Sequence, residues 1–153
     1  MTVRKFVDLR KIAEDVSIRS SELNSCFVEQ SSLFVHYARL SAEAAAQVSA
    51  KKLTVETIRA KIDKAIRETA VKDGRKITEN AIDQEIALDT TYLKAKMEVI
   101  EAEAEEAGVR AIVEGMRHRK DMLIQLGADA REELKGELRM SATPHIDAYR
   151  ANK

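Results

Sequence analysis

A single proline, Pro144, and five glycines are all the backbone punctuation in 153 residues, and none of them falls between Ser21 and Lys72. Strands joined by tight turns need such residues at short intervals, so the chain is expected to fold into long uninterrupted helices. Aromatic side chains make up only 4% of the sequence and tryptophan is absent, whereas 34% of residues are charged. A compact globule draws on aromatic bulk for its core. This composition reads instead as long helices packed against partners, with room for one domain.

The spacing of apolar residues places those helices. Phe6, Leu9, Ala13 and Val16 recur at steps of three and four and predict a short first helix. Asp15 near its end opposes the helix dipole and supports a stop there. Ser20 or Ser21 is the expected N-cap of the next helix. Leu23, Cys26, Gln30, Leu33, Tyr37, Leu40, Ala44 and Gln47 then alternate steps of three and four, as do Val55, Ile58, Ile62, Ala65 and Thr69. Between the two runs, Gln47, Lys51 and Val55 are spaced by two successive fours, a stutter that unwinds a supercoil locally without ending the helix. This second helix is predicted from about Ser21 to about Lys72, with a stop at Asp73-Gly74.

Thr78 is the expected cap of a third helix whose stripe runs through Ile82, Ile86, Leu93, Met97, Ile100, Ala104 and Ala107. Gly108 is the natural place for a bend, after which Ile112, Met116, Leu123, Leu126, Ala130, Leu134 and Leu138 continue the pattern. Thr143-Pro144 should end it. The expected fold is all-α: a long-helix hairpin or three-helix unit with coiled-coil-like, oligomer-forming helices over residues 1–142, and a tail over 143–153. No apolar run approaches the roughly 20 residues of a membrane span, and the start lacks a signal-peptide core. Cys26 is the only cysteine, so no internal disulfide forms. A cytoplasmic address is expected.

The balanced net charge hides a separation. Residues 1–76 carry 15 Lys/Arg against 10 Asp/Glu, and residues 77–153 carry 11 against 16. The stretch 51–76 alone holds nine basic and four acidic groups. Such a chain can bind a polyanion locally or pair head to tail with copies of itself. The acidic run Glu98, Glu101, Glu103, Glu105 and Glu106 is either a solvated face or a partner for that basic stretch in another copy. Arg117, His118, Arg119 and Lys120 form a second basic cluster.

Catalytic signatures do not emerge. Glu114 and His118 share a helix face, which a metal could use but an ordinary ion pair explains better. His36 beside Tyr37 reads as packing, and Cys26 as a small buried apolar residue. Neither a Gly-rich phosphate loop nor a nucleophile motif is present. The expectation is a protein that works by self-association and binding, without a cofactor or a metal.

Residues 58–63 read Ile58-Arg59-Ala60-Lys61-Ile62-Asp63. If Val55, Ile58 and Ile62 face another helix of an oligomer, Arg59 and Lys61 flank that seam on its two sides. Repeated around a symmetric assembly, the pair becomes a ring of cations that can contact phosphates without reading bases. Charges flanking a seam also serve coiled-coil pairing alone, and both alternatives stand on the residues.

This stretch and its surroundings resemble the UvsY family of phage recombination mediators. That family carries a Lys-Ala-Arg core between aliphatic residues and followed by Asp, here IRAKID with the two basic types exchanged. Upstream, DVSIRSSELNSCFVEQSSLFVHYARL (Asp15 to Leu40) is similar to the family's N-terminal pattern of Asp-Val, Ile, Ser, Leu and a later Tyr with Leu. Downstream, Lys94 to Met122 parallels a third block that contains Asp121-Met122. The resemblance spans roughly residues 6–126. It differs by about one helical turn between Tyr37 and Arg59, and the tail after Leu134 has no counterpart. It implies a ring-like homo-oligomer that binds single-stranded DNA and helps a RecA-like recombinase displace single-strand-binding protein. Arg59 and Lys61 would contact DNA, with Lys51 and Lys52 as looser candidates. The alternative is a structural coiled-coil or scaffolding protein without nucleic-acid binding.

Overall fold

The computed structural model describes the backbone of residues 2–151 and the side chains of residues 2–138. Among them there is no strand: α1 covers Leu9–Val16, α2 Leu23–Lys72, α3 Glu79–Leu88 and α4 Thr90–Ala151. At about 1.5 Å per residue, the two long helices reach roughly 75 and 90 Å. They form an antiparallel hairpin, fixed along its length by Gln30 against Met116 and by Lys51 against Glu98. The all-α hairpin is as the sequence predicts.

Four small clusters along the hairpin replace a single core. At the end near α1, Tyr37, Leu40 and Ala44 pack on Val109, Val113 and Met116, with Ile12 and Val16 laid over them. Next comes Val3 with Val48 and Ala102, then Val55 with Ala95 and Val99, and last Ile66 with Ile82 and Ile86. Residues 3–7 form no helix and lie across the hairpin. The Gln47 carboxamide accepts from the Arg4 N–H at 2.9 Å and donates to the Arg4 carbonyl at 3.3 Å.

The helix ends show which local signals act. Asp8, not a residue of the apolar pattern, caps α1 by accepting from the Arg10 N–H at 2.8 Å. Neither Ser20 nor Ser21 caps α2: both lie in a single 3-10 turn, Ser20–Glu22, that feeds directly into the helix. At the other end, Gly74 takes φ 64 and the Arg75 N–H bonds back to the Ala70 carbonyl at 2.9 Å, a Schellman stop. Thr78 caps α3 as expected, accepting from the Ala81 N–H.

The second half departs from its expected course. The single helix from Thr78 onward is broken at Asp89, whose carboxylate accepts from the N–H groups of Thr91 and Tyr92 at 2.7 and 2.9 Å and so starts α4. α4 then restarts in a different phase. Ala95, Val99 and Ala102 face α2, whereas Leu93, Met97 and Ile100 stand outside at 47%, 63% and 65% exposure. α4 runs through Gly108 without interruption, and its bounds carry it past Thr143-Pro144, where the sequence predicts its end. The side chains of the tail assigned to 143–153 lie outside the described residues.

Candidate nucleic-acid interface

The basic stretch 51–76 occupies the C-terminal half of α2 and the turn after it. Its apolar members are used within the chain. Val55 packs on Ala95 and Val99 with Ile58 beside it, and Ile62 joins the cluster of Ile66, Ile82 and Ile86. The hairpin therefore takes up Val55, Ile58 and Ile62, the residues expected to join copies, which leaves other faces for contacts between subunits. The lower stripe also drifts, with Ile66 and Ala70 buried where Ala65 and Thr69 are expected.

Three of the four candidate DNA contacts are tied to carboxylates of the same chain. Lys51 lies between the long helices, 2.6 Å from Glu98, with 12% of its side chain exposed. This bond holds Glu98 below the usual carboxylate range. Lys52 pairs with Glu103 at 2.8 Å and Arg59 with Asp83 of α3 at 3.0 Å, the latter half-exposed. The carboxylate partners raise the pKa of both cations further. Lys61 is different. It is exposed and makes no ion pair among the described residues.

Lys61 opens onto a groove of about 550 Å³ between the end of α2 and α3, shared with Arg75, Lys76, Glu85 and Asp89 over a floor that includes Ile62 and Ile66. Asp89 is committed to capping α4, and Arg75 reaches Asp73 at 2.7 Å. Lys76, like Lys61, has no ionic partner among the described residues. Sequence reasoning counted Arg75 and Lys76 in the basic stretch but gave them no role. Their position directly after Gly74 is the signal, because a Schellman turn folds the chain back beside α2. No aromatic lines this groove, so a nucleic acid held here would be gripped through its phosphates and not through base stacking.

Of the acidic run, all but Glu101 is taken up inside the chain. Glu98 and Glu103 meet Lys51 and Lys52, Glu105 accepts from Lys5 and from the Phe6 N–H, and Glu106 pairs with Arg110. Basic stretch and acidic run thus meet within one subunit. The cluster at 117–120 is dispersed: Arg117 pairs with Glu114, Lys120 with Asp121, and Arg119 is buried. No group of three potential metal ligands exists among the described residues, and no helix there is long and apolar enough to cross a membrane. No family model, curated protein or solved structure matches the chain.

Proposed function

We propose that this protein is a single-stranded-DNA-binding homo-oligomer that acts as a recombination mediator, loading a RecA-like recombinase in place of single-strand-binding protein. The observation that carries the DNA-binding part is the pair of lysines without an ionic partner among the described residues, Lys61 and Lys76, on one open groove beside Arg75. Cations without internal partners are the ones free to replace the counterions of a phosphate chain. The mediator part rests on the ordered resemblance over residues 6–126.

The experiment is fluorescence anisotropy of a labelled oligonucleotide titrated at several salt concentrations. Wild type should prefer single strands of any sequence. Lys61→Ala with Lys76→Ala should weaken binding about tenfold and lower the salt slope by about 1.4, near 0.7 for each lost phosphate contact. Acceleration of recombinase filament growth on DNA covered by single-strand-binding protein then tests the mediator role. A second reading, a scaffold without DNA affinity, is favoured by the ion pairs that occupy Lys51, Lys52 and Arg59. Wild-type protein that leaves the oligonucleotide free at low salt establishes that reading instead.

A further inference from the structure

The face of α2 turned away from the hairpin is unusual for so charged a chain. Over residues 28–60, a length of about 50 Å, its central positions are Val28, Ser32, Val35, Arg39, Ala42, Ala46, Ser49, Leu53, Glu56 and Ala60, all exposed or half-exposed at the surface of one chain. Val28, Val35 and Leu53 are 81%, 65% and 69% exposed. These positions repeat strictly by sevens. The inner face does not: Ala44, Val55 and Ile66 are buried at intervals of eleven. A seven-residue repeat suits a left-handed coil with another helix, and the eleven-residue repeat a straighter seam. The two faces of α2 are thus patterned for two different neighbours.

We propose that the outer face of α2 is the contact between copies, and that a second copy's α2 lies antiparallel across it about a twofold axis at Ala44. The inference rests on the homo-oligomer of the proposed function and supplies its surface. Turning the helix about that axis sets Val28 against Ala60, Val35 against Leu53 and Ala42 against Ala46 of the second copy. The intervening layers match polar with polar, Ser32 with Glu56 and Arg39 with Ser49. Apolar layers thus alternate with polar ones, large beside small in the outer two, and alanines at the centre allow close approach, which is the self-complementarity a twofold interface requires.

The flanks agree. Lys52 would lie along Ala38 and Arg59 along Ser31, so their aliphatic stems cover small residues while the charges stay in water. Glu43 meets its own copy, but each Glu43 already holds Arg39 and Arg4 at 3.4 Å. The exposed stripe of α4 is worse suited to pairing with itself. An antiparallel match of Leu93, Met97 and Ile100 with Ala111, Ala107 and Ala104 sets Glu101, which has no ionic partner among the described residues, against its own copy, and brings Lys96 against Arg110. Like charges at those flanks repel.

The test uses the full chain. Chains carrying Val35→Cys and Leu53→Cys are mixed and gently oxidised; Cys26, buried, stays out of the exchange. Disulfides between the two kinds of chain should exceed like-with-like products several-fold. Val35→Glu with Leu53→Glu should lower the mass from light scattering at least twofold with helix content unchanged, because both positions are exposed within one chain. Predominant like-with-like crosslinks, or an unchanged mass, overturn the proposal, as does dissociation by Ile100→Glu in place of the α2 variant. An oligomer that persists in the α2 variant defeats this inference alone, whereas a monomeric wild type at micromolar concentration defeats the assembly half of the proposed function as well.

Discussion

Arg119 ties together the end of the hairpin near α1. It is 4% exposed, and no carboxylate touches it among the described residues. Its guanidinium instead donates to the Gln30 side-chain oxygen, the Cys26 carbonyl at 3.3 Å and the Ser17 carbonyl at 3.4 Å, while Nε finds no partner. A planar fork can serve α2, α4 and the linker after α1 at once, which lysine cannot do. Arg119→Ala removes all three bonds, leaves the buried Gln30 oxygen without its donor and opens a void, so a loss of about 3 kcal/mol is expected in urea unfolding followed by circular dichroism. Arg110→Ala, which removes one helix-surface pair between an exposed guanidinium and Glu106, should cost about 1 kcal/mol or less. Equal losses would show that Arg119 holds nothing in place. Gly127 offers a second residue-scale test. A Cβ there would lie 2.8 Å from the Phe27 ring tip, but Phe27 is 39% exposed and can swing outward. Gly127→Ala should therefore be nearly neutral in wild type, the gain in helix propensity offset by the displaced ring. In a Phe27→Ala background the same change should stabilise by about 1 kcal/mol. A double-mutant cycle without that coupling would place the ring elsewhere.

At the scale of helices, ion pairs join α2 to α4 through Lys51–Glu98 and Lys52–Glu103, α2 to α3 through Arg67–Glu79, and the N-terminal segment to α4 through Lys5–Glu105, and their pH dependence has a definite sign. The hydrogen bond from Lys51 holds Glu98 below the usual carboxylate range, and Arg67 does the same for Asp63 and Glu79. For Glu105 burial pushes upward, but bonds from the Phe6 N–H and Lys5 outweigh it, and the net shift is downward. A carboxylate depressed in the folded state contributes stability above its unfolded pKa of about 4.3, and that contribution is lost as pH falls through the lower folded value. The melting temperature should fall steeply below about pH 4.5, and Glu98→Gln with Glu105→Gln should flatten the fall. An equally steep acid limb in the variant would assign it to other carboxylates. The same elements show what a sequence can disclose. The course of α2 was legible because no breaker interrupts it and Gly74 marks its end. The inward face of α4 was not, because Asp89 reads as one polar residue in a helical pattern until its carboxylate is seen capping Thr91 and Tyr92. Bulk also misleads: the pattern favours Leu93, Met97 and Ile100, whereas close packing of two long backbones selects Ala95 and Ala102. Arg59 and Lys61 could be placed on opposite flanks of α2 from spacing alone. That Asp83 takes one and leaves the other open depends on how α3 docks, which no periodicity encodes.

For the molecule as a whole, the charge separation read along the chain becomes, on folding, a hairpin that neutralises itself along most of its length and keeps open cations near its α2–α3 end. This distribution makes a carboxylate substitution the sharper probe of DNA binding, because it adds a cation without altering one. Asp83 engages Arg59 at 3.0 Å on an exposed surface, with 50% and 61% of the two side chains accessible. Surface pairs of this kind contribute little to stability, so Asp83→Asn should leave the fold intact and release the guanidinium. If the DNA path crosses α2 at residues 59–61, affinity for single strands should rise roughly threefold to tenfold and the salt slope by about 0.7, one phosphate contact. Asp129→Asn makes the same change in net charge on α4, where the carboxylate accepts from Gln125 and has no ionic partner among the described residues, and should do much less. Equal gains from the two variants would mean that net charge alone governs binding. A gain confined to Asp83→Asn that disappears when Arg59→Ala is added would put Arg59 on the path. No gain from Asp83→Asn would leave the Lys61 and Lys76 groove as the whole of the site, with the Arg59–Asp83 pair serving only to fasten α3 to α2.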